Sequence, residues 1–250
     1  MAVLWEQRDG ATHCQVRTAG RTLRLYTNGV FHSQYNPAQP LTGNVWDLLM
    51  LPAFFYPSGS IQRVLMLGVG GGAVIQQLRQ FVQPALIMGV ELSEAHLTVA
   101  ERFFGVRGDD VQLIHADAAE WLRRYDGEPF DMIIDDLFGE VGGEPVRAVR
   151  ADRTWVSLLY SQVTAGGVVV SNFPGRFDLQ ASAWRSDVLL RRRCAAAFSL
   201  QTPQNCNAVG VFLGRAATTR QLRARLCREP LLDPRRATSR LNYRIRSLPR

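Results

Sequence analysis

The chain of 250 residues is 46% hydrophobic, enough for one α/β domain and an appendage of about 60 residues. Its net charge of +7 comes from arginine alone, because the 29 basic residues include no lysine, which excludes Schiff-base chemistry and a P-loop lysine. Ten arginines lie in Arg220–Arg250 against Glu229 and Asp233, so the basicity belongs to the tail; with Tyr243 as its one aromatic, the tail offers no stacking surface, and nucleic-acid binding is not expected.

No apolar run reaches the roughly 18 residues of a membrane span, and Met1 to Asp9 shows no signal pattern, so a cytoplasmic chain off the membrane is expected. Cys14, Cys194, Cys206 and Cys227 form no C-x-x-C pair, and His13, His32, His96 and His115 form no H-E-x-x-H cluster. Reduced cysteines and no metal are therefore expected.

In chain order, residues 1–57 read as a small β domain with strands at His13–Arg17, Leu23–Tyr26 and Phe31–Tyr35, and Asn28-Gly29 as a hairpin turn. Its core is too small to stand alone, so it should pack on the main domain or on a second subunit. A helix over Asn44–Phe55 follows, stopped by Pro57.

Residues 58–217 read as the main domain. Val64-Leu65-Met66-Leu67 is a short apolar run bounded by glycine, a strand buried on both faces. Gly68-Val69-Gly70-Gly71-Gly72 lets the chain reverse and brings backbone N–H groups close to a ligand. A helix over Ala73–Phe81 and a strand ending on Glu91 complete a βαβ unit. Glu91 stands 23 positions after Gly68, close to the roughly 20 expected of an acid that accepts from ribose hydroxyls. The unit therefore points to a nucleoside.

Ser93 caps a helix to Phe104, and Val111–His115 is a strand followed by Asp117 and a helix from Ala118 to Tyr125. Phe130–Ile134 is a strand ended by Asp135 and Asp136, and residues 137–150 read as a polar, glycine-rich loop. Asp152 or Thr154 begins a helix to Thr164, Gly167–Phe173 is a strand, and Leu179–Ala197 a helix. Phe198–Thr202 and Ala208–Leu213 are separated by too few residues for a parallel crossover and must pair antiparallel. The fold class is thus α/β: a mainly parallel, doubly wound sheet of the class I methyltransferase, Rossmann-like variety, with a terminal antiparallel hairpin and a small N-terminal β domain. Residues 218–250 read as an Arg-rich tail, solvated or docking a partner.

Ligands of open α/β sheets lie beyond the carboxyl ends of the strands, where Glu91, Asp117 and Asp136 all stand. Glu91 can accept the ribose hydroxyls and Asp117 the adenine amino proton. Asp136 can take a proton from an attacking amine or stabilise a sulfonium, and Asp135 is a candidate substrate contact whose side chain should face opposite to its neighbour's.

The segments LMLGVGGGAVIQQL, GVELSEAHLTVAERFF, LIHADAAEWL, FDMIIDDLFG and TAGGVVVSNF resemble the successive motifs of the spermidine synthase family, aminopropyltransferases on the class I S-adenosylmethionine-binding fold. The resemblance implies Gly68, Gly70 and Gly72 at the donor's tail, Glu91 and Leu92 at the ribose, Asp117 and Ala118 at the adenine, and Asp136 as the catalytic aspartate. It further implies His32 and Asp135 at the substrate, a small-molecule amine acceptor, and a homodimer formed with the N-terminal domain. The motifs are altered in places: Gly71 stands where the family has an aspartate, Asp136-Leu137-Phe138-Gly139 keeps only the first acid of D-S-S-D, and the Tyr-His-Glu region becomes Val45-Trp46-Asp47.

The nucleoside contacts are retained while polyamine contacts are lost. The leading expectation is a transferase using S-adenosylmethionine, or its decarboxylated form, to move a methyl or aminopropyl-type group to an amine. An authentic polyamine aminopropyltransferase, with Asp135, Glu140 and Glu144 replacing the lost acids, is the alternative. A nicotinamide dinucleotide enzyme, suggested by Gly68, Gly70 and Ala73, and a non-catalytic dimeric scaffold are further ones.

Overall fold

The computed structural model describes residues 1–249; Arg250, the last residue of the basic tail, lies outside them. The chain opens with an antiparallel sheet of β1 (Ala2–Asp9), β2 (Thr12–Ala19), β3 (Thr22–Thr27) and β4 (Val30–Tyr35), in that order. Asn28 and Gly29 both take positive φ between β3 and β4, as the two-residue turn of a tight hairpin requires. β1 is additional to the three strands expected; it is the outer strand, with Val3 and Leu4 half exposed, so it lacks the buried alternation by which strands are recognised.

Helix α1 (Val45–Met50) starts at an Asn44 cap and gives way to a 3₁₀ turn at Leu51–Phe55, where Pro52 brings no N–H to continue the α-ladder. β5 (Arg63–Leu67), α2 (Ala73–Phe81), β6 (Leu86–Glu91), α3 (Glu94–Arg102), β7 (Val111–His115), α4 (Ala118–Arg124) and β8 (Phe130–Asp135) then alternate. The expected loop after Asp136 is a hairpin instead, β9 (Phe138–Val141) and β10 (Glu144–Arg147), with Gly142 and Gly143 at positive φ in its turn.

Asp152 caps α5 (Arg153–Gln162), which leads into β11 (Val163–Phe173). The single helix expected over Leu179–Ala197 is three short ones, α6 (Arg176–Ala181), α7 (Ala183–Ser186) and α8 (Val188–Arg193). Ser182 is extended between the first two, and Asp187 restarts the third by accepting from the N–H groups of Leu189 and Leu190. The chain finishes with β12 (Ala196–Gln201), β13 (Ala208–Leu213), α9 (Thr219–Leu226) and β14 (Arg244–Ser247).

The main sheet runs β14-β12-β13-β11-β8-β5-β6-β7. β11, β8, β5, β6 and β7 are parallel, and β13, β12 and β14 each pair antiparallel with their neighbours. Each central strand is apolar on both faces, as a covered sheet demands. Val64, Met66, Met132 and Ile134 point into one core with α2, α3, the N-terminal sheet and the tail; Leu65, Leu67, Ile133 and Val169 point into the other with α4, α5 and Trp184.

The basic tail is not free. Leu222, Leu226, Leu232 and Leu241 are buried in the first core, Arg225 donates to the carbonyls of Phe54 (3.3 Å) and Phe55 (2.7 Å), and β14 extends the sheet. Its leucines are spaced between arginines, so the apolar stripe is diluted in the sequence. Among the described residues no helix is long and apolar enough to cross a membrane.

Candidate active site

The strand order reverses between β5 and β8, and the chain leaves both strands at the same spot: the N–H of Gly68 donates to Val90 O and that of Asp136 to Leu67 O, each at 2.9 Å. A side chain at Gly68 would place its Cβ 2.3 Å from the carbonyl oxygen of Asp136. The glycine is therefore required by the crossing of the two rim segments. Beyond this point opens a cavity of about 440 Å³, within the range of small-ligand sites.

Strand order sets the order of groups around the rim. From β7 inward come Asp117, Glu91 after β6, Gly68 and Gly70 after β5, Asp136 after β8, Asn172 on β11 and Asn207 before β13, and all of these line the cavity. Leu92, Ala118 and His32 line it as well. Two expected contacts do not. Gly72 is packed against Val106 and Ala100, because the chain has already turned into α2. Asp135, the last residue of β8, points to the opposite face by the two-residue period of the strand. It is fully buried there, paired with Arg147 Nη2 at 2.8 and 3.0 Å and accepting from the Trp155 indole at 3.2 Å.

Glu91 is the most fully supported acid. Its Oε2 accepts from the backbone N–H of Val69 and Gly70 and its Oε1 from Ser93 N, all at 2.9 Å. His96 Nδ1 lies 3.7 Å from Oε1, close enough for charge attraction but not for a hydrogen bond, so Oε1 keeps acceptor capacity. Burial acts to raise the Glu91 pKa, but His96 and the backbone amides outweigh it and hold the carboxyl at about 2. Burial likewise acts against the His96 imidazolium, and the partners Cys14 and Glu91 hold it at about 9. Both groups are charged at neutral pH.

His96 is a residue the sequence reading passed over as a non-ligand. It follows the Ser93 cap by three positions, so the first turn of α3 brings it back over Glu91. Its Nε2 meets Thr27 Oγ1 at 2.8 Å, and Thr27 in turn meets Cys14 Sγ at 3.3 Å, tying the glutamate to the N-terminal sheet. His32, whose ring centroid is 5.1 Å from that of His96, is pushed down to about 4 by burial and by its charged neighbour, and is neutral.

Asp117 caps α4, its Oδ1 accepting from Glu120 N at 2.8 Å, and among the described residues its second oxygen has no hydrogen-bond donor. Asp136 differs from both other acids. Dense surrounding protein pushes its carboxyl up to about 6, against a hydrogen bond of 2.8 Å from Asn172 Nδ2 to its Oδ1. Asn207 Nδ2 donates to Asn172 Oδ1 at 3.0 Å, so two carboxamides in series fix the aspartate. Asn172 could have been found from the rim rule alone, since it stands near the carboxyl end of the fifth strand.

The hairpin β9–β10 forms one wall. Arg147 fastens its base to Asp135 and to the carbonyl of Asn172, and Glu140 fastens its tip by accepting from Asn28 Nδ2 at 3.0 Å. Asp47, in place of the family's glutamate, is buried away from the cavity and accepts from Thr42, Gly43 and Gln77. Gly71 has no room for the family's aspartate, because a Cβ there would lie 2.5 Å from the Phe104 ring.

Residues 64–151 match a family model described as a methyltransferase domain. Polyamine aminopropyltransferase 2 of Caldanaerobacter subterraneus subsp. tengcongensis is 32% identical over 108 residues, which cover 42% of this chain and about a third (35%) of that protein. A probable spermidine synthase from Corynebacterium glutamicum superposes with a TM-score of 0.75 at 13% identity, over 99% of this chain and 91% of that one. A spermidine synthase in complex with the transition-state analogue AdoDATO superposes with a TM-score of 0.66 at 12% identity, over 91% and 77%. The rim geometry and these likenesses agree: the chain has a spermidine synthase-like class I methyltransferase fold.

Proposed function

We propose that the protein is a transferase that binds S-adenosylmethionine or its decarboxylated form and moves a methyl or aminopropyl-type group to an amine acceptor. The observation that carries this reading is the contrast of two acids lining one rim: Glu91, fixed by three backbone amides and held well below the usual carboxyl range, and Asp136, held by one carboxamide and raised above it by the protein around it. A fixed anion suits a diol and a nearby cation; a carboxyl that exchanges its proton near neutrality suits general base work.

The residues present fit such a donor. Glu91 would accept from the ribose, Asp117 from the adenine amino group, and the Gly68–Gly70 turn would lie against the tail. When bound, the donor supplies a sulfonium carbon for in-line attack, the electron pair of the broken C–S bond leaving with sulfur. Asp136 would orient the acceptor nitrogen and receive the proton it loses as the N–C bond forms. Asn172 and Asn207 would hold that carboxylate in place through the attack. The neutral His32 would line the acceptor's approach without adding positive charge beside a sulfonium.

Calorimetric titration with both donors tests this reading; binding of neither would overturn it. We favour the undecarboxylated donor, since Gly71 leaves no acid for the aminopropyl amine. Tighter binding of the decarboxylated donor would reverse that preference. The second reading, a polyamine aminopropyltransferase, is supported by the 32% identity to such an enzyme over 108 residues. The three acids offered as replacements do not help it, because Asp135 and Glu140 are engaged in holding the hairpin and Glu144 does not line the cavity. A homodimer through the N-terminal sheet is part of the proposal, supported by the half-exposed Val3 and Leu4 on the outer strand β1.

A further inference from the structure

The charges of the cavity are unevenly divided between its two halves. Toward β6 and β7 lie Glu91, Asp117 and the His96 imidazolium; toward β8, β11 and β13 Asp136 is the one ionisable acid, and the cavity has no arginine, among the described lining residues. The rest of that second half is neutral: carboxamides from Asn172, Asn205 and Asn207, and aromatic surface from Phe31, Trp46 and Phe138.

An aliphatic diamine or triamine entering here would have to shed water from two or more ammonium groups against a single carboxylate that is itself needed to accept a proton. Aromatic faces can hold an ammonium. Phe31 is already taken, since the Arg24 guanidinium lies over it 5.7 Å from its centroid and the Tyr26 ring stacks on it at 5.3 Å, so Trp46 and Phe138 are the aromatic surface left to an acceptor. The carboxamides offer something different. Asn44 Oδ1 accepts from Val45 N and from Asn205, and Asn207 Nδ2 donates to Asn172, which leaves Asn44 Nδ2 and Asn207 Oδ1 as a neutral donor and a neutral acceptor on lining residues. Such a pair reads the edge of a polar ring.

Resting on the transferase reading above, we propose that the acceptor is a neutral aromatic amine or nitrogen heterocycle, and not an aliphatic polyamine. Its ring would lie against Trp46 and Phe138, with its edge toward the carboxamides and its nucleophilic nitrogen at Asp136.

The experiment has two arms. The first titrates S-adenosylhomocysteine and its decarboxylated counterpart into the protein by calorimetry, and binding of neither sinks the transferase reading itself. The second saturates the protein with whichever of the two binds and titrates aniline and indole against putrescine and spermidine. The two arenes are expected to bind at least about tenfold more tightly than either polyamine. Polyamines binding as well as the arenes, or no arene binding at all, overturns the acceptor assignment while leaving donor binding intact. Phe138→Asp, which adds a carboxylate to the neutral half, is expected to shift the ratio by about tenfold toward putrescine. A ratio unmoved by that change also counts against the proposal.

Discussion

On the β6 side of the rim the polar groups are held by neighbours in the chain: Glu91 takes its hydrogen bonds from residues 2, 21 and 22 positions away. On the β8 side the ties are longer, 36 positions from Asp136 to Asn172, 35 more to Asn207, and 112 from Glu140 to Asn28. The first half is built mainly on one supersecondary unit, with the contact of His96 to Thr27, 69 positions away, as its tie to the N-terminal sheet. The second is assembled only when the N-terminal sheet, the hairpin β9–β10 and the β11–β13 pair have come together. Under the proposed function, the donor would meet the locally built half and the acceptor the half assembled from distant segments.

The largest expected effect falls where the two halves meet. Asp136→Asn is expected to lower turnover by roughly a hundredfold to ten-thousandfold, the range for loss of a general base, with donor affinity unchanged by calorimetry. In the unaltered protein the rate should climb as pH rises through about 6, since the base must be ionised, and the variant should lack that inflection. An equal loss of donor affinity would mean that the halves are not separable.

Next in size, Glu91→Gln should weaken donor binding by about ten- to several-hundredfold, the worth of one or two charge-assisted hydrogen bonds. Titration of the variant checks it, and an unchanged affinity would remove Glu91 from the donor half.

How much of this could be read in the sequence follows from the same division. Glycine turn, Glu91 and Asp117 announce themselves by spacing, and so do the strands of the parallel sheet, each a short apolar run. Asp136 was legible as a strand-end acid. Its partners Asn172 and Asn207 were not assigned a role, since their meeting depends on β13 lying antiparallel beside β11. Asp135 was misplaced for a related reason: Arg147, which claims it, sits in a stretch whose glycines read as a loop and fold as a hairpin. Likewise His96 carries no motif; its importance comes from the turn of α3 that returns it to Glu91.

Two smaller effects would sharpen the comparison. Gly71→Asp, which restores the family's acid, is expected to destabilise the fold by about 1–3 kcal/mol through collision with Phe104, seen as a lower urea midpoint. A variant as stable as the parent would show that the glycine answers to the ligand and not to packing. His96 is held protonated to about 9, above its ordinary 6.5, so its pairing with Glu91 contributes fully below about pH 6.5 and is lost as pH rises through about 9. The melting temperature should therefore fall across that interval in the parent and stay flatter in His96→Gln.

The strand β14 has a consequence away from the cavity. A sheet ending at β12 would offer the backbone groups of Phe198–Gln201 to any extended segment that drifted past. β14 occupies them and presents instead a four-residue border carrying Arg244 and Arg246, too short and too positively charged to recruit a further copy of itself. The arginines that tilt the isoelectric point of the whole chain thus include two that act as a fence along one border of its longest sheet.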